Sequence, residues 1–288
     1  MKGIPTIDCM MGLHEGGEYK MLKKWLEEGL LRDEESKGYL QPAEHFFKDS
    51  RERIEKGGGV KDVIALMDEI GVEKGLVGVS VEDDPGPNLE VIEKYPDRFF
   101  GYIHVNPYFG MEHVRRLEKL VKAHKGLKAV DVCAFEIQRP YNDKMYYPVY
   151  AKCVELDIPV IVYVGIPGPR TPGECQNPMH LDEVCWFFPE LRVVMRHGGM
   201  PWEALCVSLM LKWPNLYYST SAMAPKWIPK DIIHYANTRG KDKVMYAGYY
   251  PYIDFSTLKN GIEELPLRDH IWPKFLRENA IKVFKLEG

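Results

Sequence analysis

Eight short runs rich in β-branched and aromatic residues, most followed by an amphipathic stretch, constrain most tightly how this 288-residue chain can fold. The runs fall at residues 4–8, 74–80, 99–104, 127–132, 158–163, 191–195, 216–219 and 244–247. Helical patterns occupy 60–70, 111–124, 147–156, 181–187, 203–212 and 230–238. Parallel strands need long crossovers, so this alternation reads as repeated βα units. Eight of them in a chain of this length point to a single closed (β/α)8 TIM barrel, an α/β fold. An open doubly wound sheet would carry a glycine-rich phosphate turn after its first strand. Here that turn is Asp8-Cys9-Met10-Met11-Gly12, which cradles no phosphate, and the Gly165-Ile-Pro-Gly-Pro turn lacks the lysine of a P-loop.

One segment breaks the rhythm. Residues 13–59 are charged and aromatic (Trp25, Tyr39, His45, Phe46, Phe47) and close on Gly57-Gly58-Gly59. That is too long for a simple βα loop. Because it follows the C-terminal end of the first strand, it is expected to run as a helical insertion over the barrel mouth. An oligomer contact is the competing reading.

A net charge of -4 gives no pull toward nucleic acid or anionic membranes. No signal peptide and no apolar run of transmembrane length are evident, so a cytoplasmic location is expected. The six cysteines are scattered in apolar contexts without a C-x-x-C pair, which fits reduced, buried thiols.

The run ending Val193-Val194-Met195-Arg196-His197-Gly198-Gly199 delivers a histidine to the C-terminal end of a strand, where a barrel enzyme places a ligand or a base. Around it stand further phrases: Tyr147-Pro-Val-Tyr-Ala-Lys-Cys-Val-Glu-Leu-Asp-Ile-Pro-Val-Ile-Val, Phe188-Pro-Glu-Leu-Arg, Trp213-Pro-Asn-Leu-Tyr-Tyr-Ser-Thr-Ser-Ala, Lys243-Val-Met-Tyr-Ala-Gly-Tyr-Tyr-Pro and Glu278-Asn-Ala-Ile-Lys-Val-Phe. In that order and spacing the chain resembles the amidohydrolase-related family, in the branch that includes aminocarboxymuconate-semialdehyde decarboxylase and aromatic-acid decarboxylases.

The resemblance implies a divalent metal held by a strand-1 His-x-His, a strand-5 His, a strand-6 His and a strand-8 Asp. Carried onto this chain, those positions are Met10 and Gly12, Tyr163, His197 and Tyr249. Four of the five are not ligands of that kind: thioether is a poor donor for zinc or manganese, glycine has no side chain, and a neutral phenol binds weakly. No metal and no cofactor are therefore expected. Asp8, Cys9, His14 and Glu15 are the residues from which a new site with His197 would have to be rebuilt.

Without a metal, side chains must carry the chemistry. His197 is the candidate general base or acid. Asp8 is the candidate to orient it or to take a proton, unless it caps its turn or pairs with Arg196. Tyr163 and Tyr249 are candidates to donate to a carbonyl or carboxylate, or simply to fill the vacated cavity. His104, Tyr250, His180 and Tyr218 are the candidate substrate-binding residues, with His104 alternatively paired to Asp131. Cys133 has no neighbouring base in sequence to activate it.

The first expectation is a metal-independent hydrolase of a small ester, lactone or amide. Decarboxylation of a small acid is the runner-up, and a non-catalytic binding protein the third reading. The partner expected is a small molecule, with no nucleic acid and no membrane. A homodimer fits the base rate and the apolar stretch around Trp272.

Overall fold

The computed structural model describes residues 1–13, 20–82 and 84–287; His14 and Glu15 lie outside the described residues. Its centre is one parallel sheet whose strands follow chain order: β1 (Thr6–Asp8), β2 (Val72–Ser80), β3 (Phe99–His104), β4 (Leu127–Val132), β5 (Val160–Tyr163), β6 (Val193–Arg196), β7 (Leu216–Ser219) and β8 (Val244–Met245). Backbone bonds from Cys9 N to Tyr246 O (3.1 Å) and from Tyr249 N to Met10 O (2.8 Å) join the last strand to the first. The fold is a (β/α)8 barrel.

Strand alternation sorts the side chains. Ile7, Leu76, Phe100, Ala129, Ile161, Val194, Tyr217 and Met245 fill the barrel interior, and Ala280, Val283 and Phe284 of the C-terminal helix Asn279–Phe284 close its lower end. Residues of opposite parity, such as Val77, Ile103, Val130, Val162, Met195 and Tyr218, belong to the outer core shared with the helices.

Two residues beyond the apolar interior layer, parity brings Tyr102, Asp131, Tyr163 and Arg196 to the same inward face. The register then fixes neighbours: His104 lies opposite Asp131 across β3 and β4, and Tyr163 opposite Arg196 across β5 and β6. Tyr102, His104, Asp131, Tyr163 and Arg196 are thus set by strand pairing.

The insertion contributes helices Lys20–Glu27 and Ser50–Lys56 and two short 3₁₀ turns, Glu35–Gly38 and Glu44–Phe46. It is fastened to the strand ends. Arg53 donates to the carbonyls of Pro251 (2.8 Å) and Tyr252 (2.6 Å), and Trp25 Nε1 donates to Glu136 Oε1 (3.1 Å). Arg170, in the segment after β5, pairs with Asp33 and Glu35. Phe47 lies 5.4 Å from the Tyr249 ring. No described helix is long and apolar enough to cross a membrane.

Candidate active site at the barrel mouth

The most unusual side chain of the mouth is Arg196, which is 1% exposed at the end of β6. Its Nη2 donates to Asp131 Oδ2 and to the Tyr163 hydroxyl, and its Nη1 points at Met10 Sδ from 3.1 Å. The guanidinium lies 4.2 Å from the Tyr163 ring centroid and 4.9 Å from that of Tyr102. Nε is buried and has no hydrogen-bond partner among the described residues. Burial alone would favour the neutral form, but the surrounding oxygen atoms keep this group firmly charged.

Asp131 balances that charge and is itself shared. Its Oδ1 lies 2.6 Å from His104 Nδ1, and His104 Nε2 lies 3.1 Å from Glu136 Oε2. Burial would lower the imidazole pKa, but Glu136 and Asp131 outweigh it and push His104 up to about 10. Burial likewise opposes the Asp131 carboxylate, yet Arg196 and His104 hold it below the usual carboxylate range. A four-membered ionic chain, Arg196–Asp131–His104–Glu136, thus floors the mouth.

Above it sits His197. Its Nδ1 lies 3.1 Å from Ser221 Oγ, which also accepts from the His197 backbone N–H at 3.2 Å. The ring packs 4.8 Å from Tyr163 and 5.1 Å from Tyr249. Burial and the adjacent Arg196 push the His197 pKa well below its ordinary value, so the ring is neutral. Burial also raises the phenols of Tyr163 and Tyr249, which therefore stay protonated as donors. His197 and Tyr249 both hold left-handed backbone, with φ of 71° and 75°. For non-glycine residues that costs about 1–2 kcal/mol each.

The structure brings His197, Tyr163, Tyr249 and His104 together but separates the other candidates. Asp8 alternates with the inward Ile7 and Cys9, so its carboxylate faces the helices. There Oδ1 accepts from Gly248 N (2.8 Å) and Met10 N (3.0 Å), not from Arg196. Tyr218 also faces outward, its hydroxyl donating to Gly198 O at 2.8 Å. Tyr250 stacks on Phe255 with ring centroids 4.2 Å apart. His180 begins an outer helix, beside a surface depression lined by Asp182, Trp186 and Trp213. All six cysteines are buried and free, and burial pushes the Cys133 thiol far up.

Sequence reasoning considered Arg196 only as a partner for Asp8 and did not single out Glu136 or assign Ser221 a partner. The signal for Arg196 was available: a charged residue two positions after the inward Val194, on a strand buried throughout. Glu136 lies just beyond β4, and nothing in its local sequence marks it as the partner of His104 and Trp25.

Solved structures with this architecture include an uncharacterised TIM-barrel protein from Bordetella bronchiseptica, 22% identical, with a TM-score of 0.73, covering 97% of this chain and 98% of that one. A manganese-bound 5-carboxyvanillate decarboxylase from Novosphingobium aromaticivorans is 19% identical, with a TM-score of 0.71 and coverage of 99% and 98%. A 2,6-dihydroxybenzoate decarboxylase from Rhizobium is 15% identical, with a TM-score of 0.67 and coverage of 99% and 100%. At these identities the likeness establishes the barrel. The family is established by the Amidohydrolase profile, which matches residues 41–286: the chain belongs to the amidohydrolase family. A comparison with curated proteins finds no match.

The family's divalent metal can be tested against the residues present. Of the five corresponding positions, only His197 offers a good ligand. Among the described residues, no three His, Cys, Asp or Glu side chains converge as a metal site. Two of the remaining positions, Met10 and Tyr163, are in contact with the Arg196 guanidinium. The guanidinium therefore occupies, with a positive charge only partly balanced by Asp131, the side chains that a divalent ion would need as ligands. These residues do not fit the metal.

Proposed function

We propose that the chain is a carbon–carbon lyase that decarboxylates a small hydroxylated aromatic acid without a divalent metal. The observation that carries this reading is the pairing of a neutral, strained His197 with the Tyr163 and Tyr249 phenols over the buried Arg196. The decarboxylases of the same architecture support it by analogy.

Hydrolysis, the first expectation from sequence, needs an activated water or a nucleophile. The mouth offers no thiolate for that role, because burial holds the Cys133 thiol protonated. Decarboxylation needs only a proton moved between two atoms of the substrate, and the neutral His197 faces the mouth to move it. His197 accepts the proton of the substrate's ring hydroxyl. The resulting imidazolium, a strong acid because its pKa is depressed, returns that proton to the ring carbon bearing the carboxylate. The ring becomes a dearomatised ketone. The bond to the carboxylate then breaks, carbon dioxide leaves, and the electron pair restores the ring as a phenolate. Tyr163 and Tyr249 donate to that oxyanion. The aromatic side chains around them, Phe47, Tyr252 and Phe135, desolvate the departing carboxylate.

The test is carbon dioxide release from hydroxybenzoates with the carboxyl ortho or para to a hydroxyl, including 2,6-dihydroxybenzoate and 5-carboxyvanillate. Turnover is expected with at least one. It should fall about 10²-fold or more in His197→Asn and in Tyr163→Phe, the usual scale for losing a proton shuttle or an oxyanion donor. Turnover of esters or lactones with no carbon dioxide release would restore the hydrolase reading.

A further inference from the structure

We propose that Arg196 is the built-in cation of this barrel mouth, standing in for a divalent ion and acting on a bound oxyanion through the Tyr163 hydroxyl. The inference rests on the reading above insofar as the ligand is a hydroxylated aromatic anion, but it concerns binding and charge rather than turnover.

Three observations carry it. The guanidinium is almost fully buried, so its charge is not screened by solvent. It reaches the mouth from β6 and touches side chains of three other strands or strand ends: Met10 after β1, Asp131 of β4 and Tyr163 of β5. That convergence on one point is what a metal's ligands do, with the polarity inverted: here the cation is covalently part of the chain and its neighbours accept from it. Finally, the Tyr163 hydroxyl, which accepts from Nη2 and also bonds the Asp131 carboxylate, is partly exposed where Arg196 is not, so an entering oxyanion competes with Asp131 for the phenol's proton. The positive charge is thereby relayed to a ligand by one phenol. Arg196 touches no substrate; it is a positioning and polarising residue.

One arginine supplies half the charge of a divalent ion, and Asp131 neutralises much of it. The compensation is distance and order: the cation needs no loading, and its hydrogen-bond directions are fixed by a guanidinium fork already engaged on one side. The Nε–H on that fork has no partner among the described residues.

The probe is 4-hydroxy-3-methoxy-5-nitrobenzoic acid, whose nitrophenol absorbs differently as phenol and phenolate. It is titrated into the full chain with excess EDTA, below the midpoint of its own ionisation. The expected result is saturable binding, with the bound phenol ionising about 10- to 1,000-fold more readily than the free one, the scale of a nearby opposite charge. Arg196→Met should remove that spectral shift and Arg196→Lys should keep part of it. Because Arg196→Met leaves Asp131 with His104 as its one remaining cationic partner and can unfold the chain, Tyr163→Phe is the second variant. It keeps the ring, removes the relay, and should lose the shift while the chain remains folded. The inference is overturned if the shift persists in Tyr163→Phe, if EDTA abolishes it in the wild type, or if the wild type fails to bind the probe. A shift that behaves as expected, without carbon dioxide release from any hydroxybenzoate, leaves this inference standing and sinks the lyase reading alone.

Discussion

His104 and Asp131 face each other across β3 and β4, Nδ1 2.6 Å from Oδ1, on the carboxylate oxygen that Arg196 does not use. The pair has a consequence for stability. A histidine in the unfolded chain titrates near pH 6.5, whereas folding raises His104 to about 10. The fold therefore binds a proton that the unfolded chain has released between those values. The stabilisation is complete below about pH 6.5 and lost as pH rises through about 10. Urea midpoints at pH 6, 8 and 10 should show the wild type losing a few kcal/mol more across that range than His104→Gln. Parallel pH dependences for the two proteins would contradict the assignment.

The Arg196–Asp131 pair is expected to be costly to break rather than strongly stabilising in itself. Arg196→Met should destabilise by about 3–5 kcal/mol because Asp131 loses one of its two cationic partners and keeps only His104, which it shares with Glu136. Asp131→Asn in the same chain should recover part of that loss. A double-mutant cycle by chemical denaturation should therefore return a coupling of about 1–3 kcal/mol. Additive single losses would mean the two groups do not sense each other.

Asp8 makes a prediction of opposite practical sign, because its carboxylate is buried without a cation. Burial raises it to about 7, against the hydrogen bonds from Gly248 and Met10 that favour the charged form. Among the described residues its Oδ2 has no partner, and neither does the hydroxyl of Tyr246; both would lie within 2.6 Å of a methyl placed on Gly248. In the unfolded chain the group titrates near 3.9. Its favourable contribution is full below about pH 4 and is lost as pH rises through about 7, leaving a charge the fold does not want. Asp8→Asn keeps an acceptor for the two backbone amides. It should raise the melting temperature at pH 8 and change it little at pH 4. An equal change at both pH values would show that the effect is not the proton.

Much of the barrel was legible because alternation and turn chemistry agree along the chain. The strands at 99–104, 127–132 and 216–219 occur at those residues. Where bounds differ, the backbone gives the reason. The first strand begins at Thr6 rather than at residue 4, since Pro5 has no N–H for the ladder. The eighth is cut to Val244–Met245 because Tyr246 N is taken by Phe275 O. The sixth shifts to Val193–Arg196, and that one added residue matters most. Placing Arg196 on the strand gives it the parity of Val194 and turns it into the barrel.

The site was legible in part. His197, Tyr163 and Tyr249 could be placed because each lies at or just beyond the end of a strand whose register a family resemblance fixes. Asp8 and Tyr218 lie in strands and Tyr250 beyond one, but outward parity or a turn carries them away from the mouth, and nearness to a strand end says nothing about direction. The ionic chain to Glu136 depends on the helical turn Ala134–Ile137 beyond β4, a contact between distant elements that no local pattern encodes.

The most direct measurement is metal content. The wild-type chain is dialysed against manganese chloride, freed of loosely held ions, and assayed by elemental analysis alongside two variants in which Met10, Gly12 and Tyr163 become histidine and Tyr249 becomes aspartate, one keeping Arg196 and the other carrying Arg196→Met. A mouth whose cation is Arg196 predicts far less than one manganese per wild-type chain and substantial uptake only once the guanidinium is gone. One tightly held manganese per wild-type chain would contradict the account.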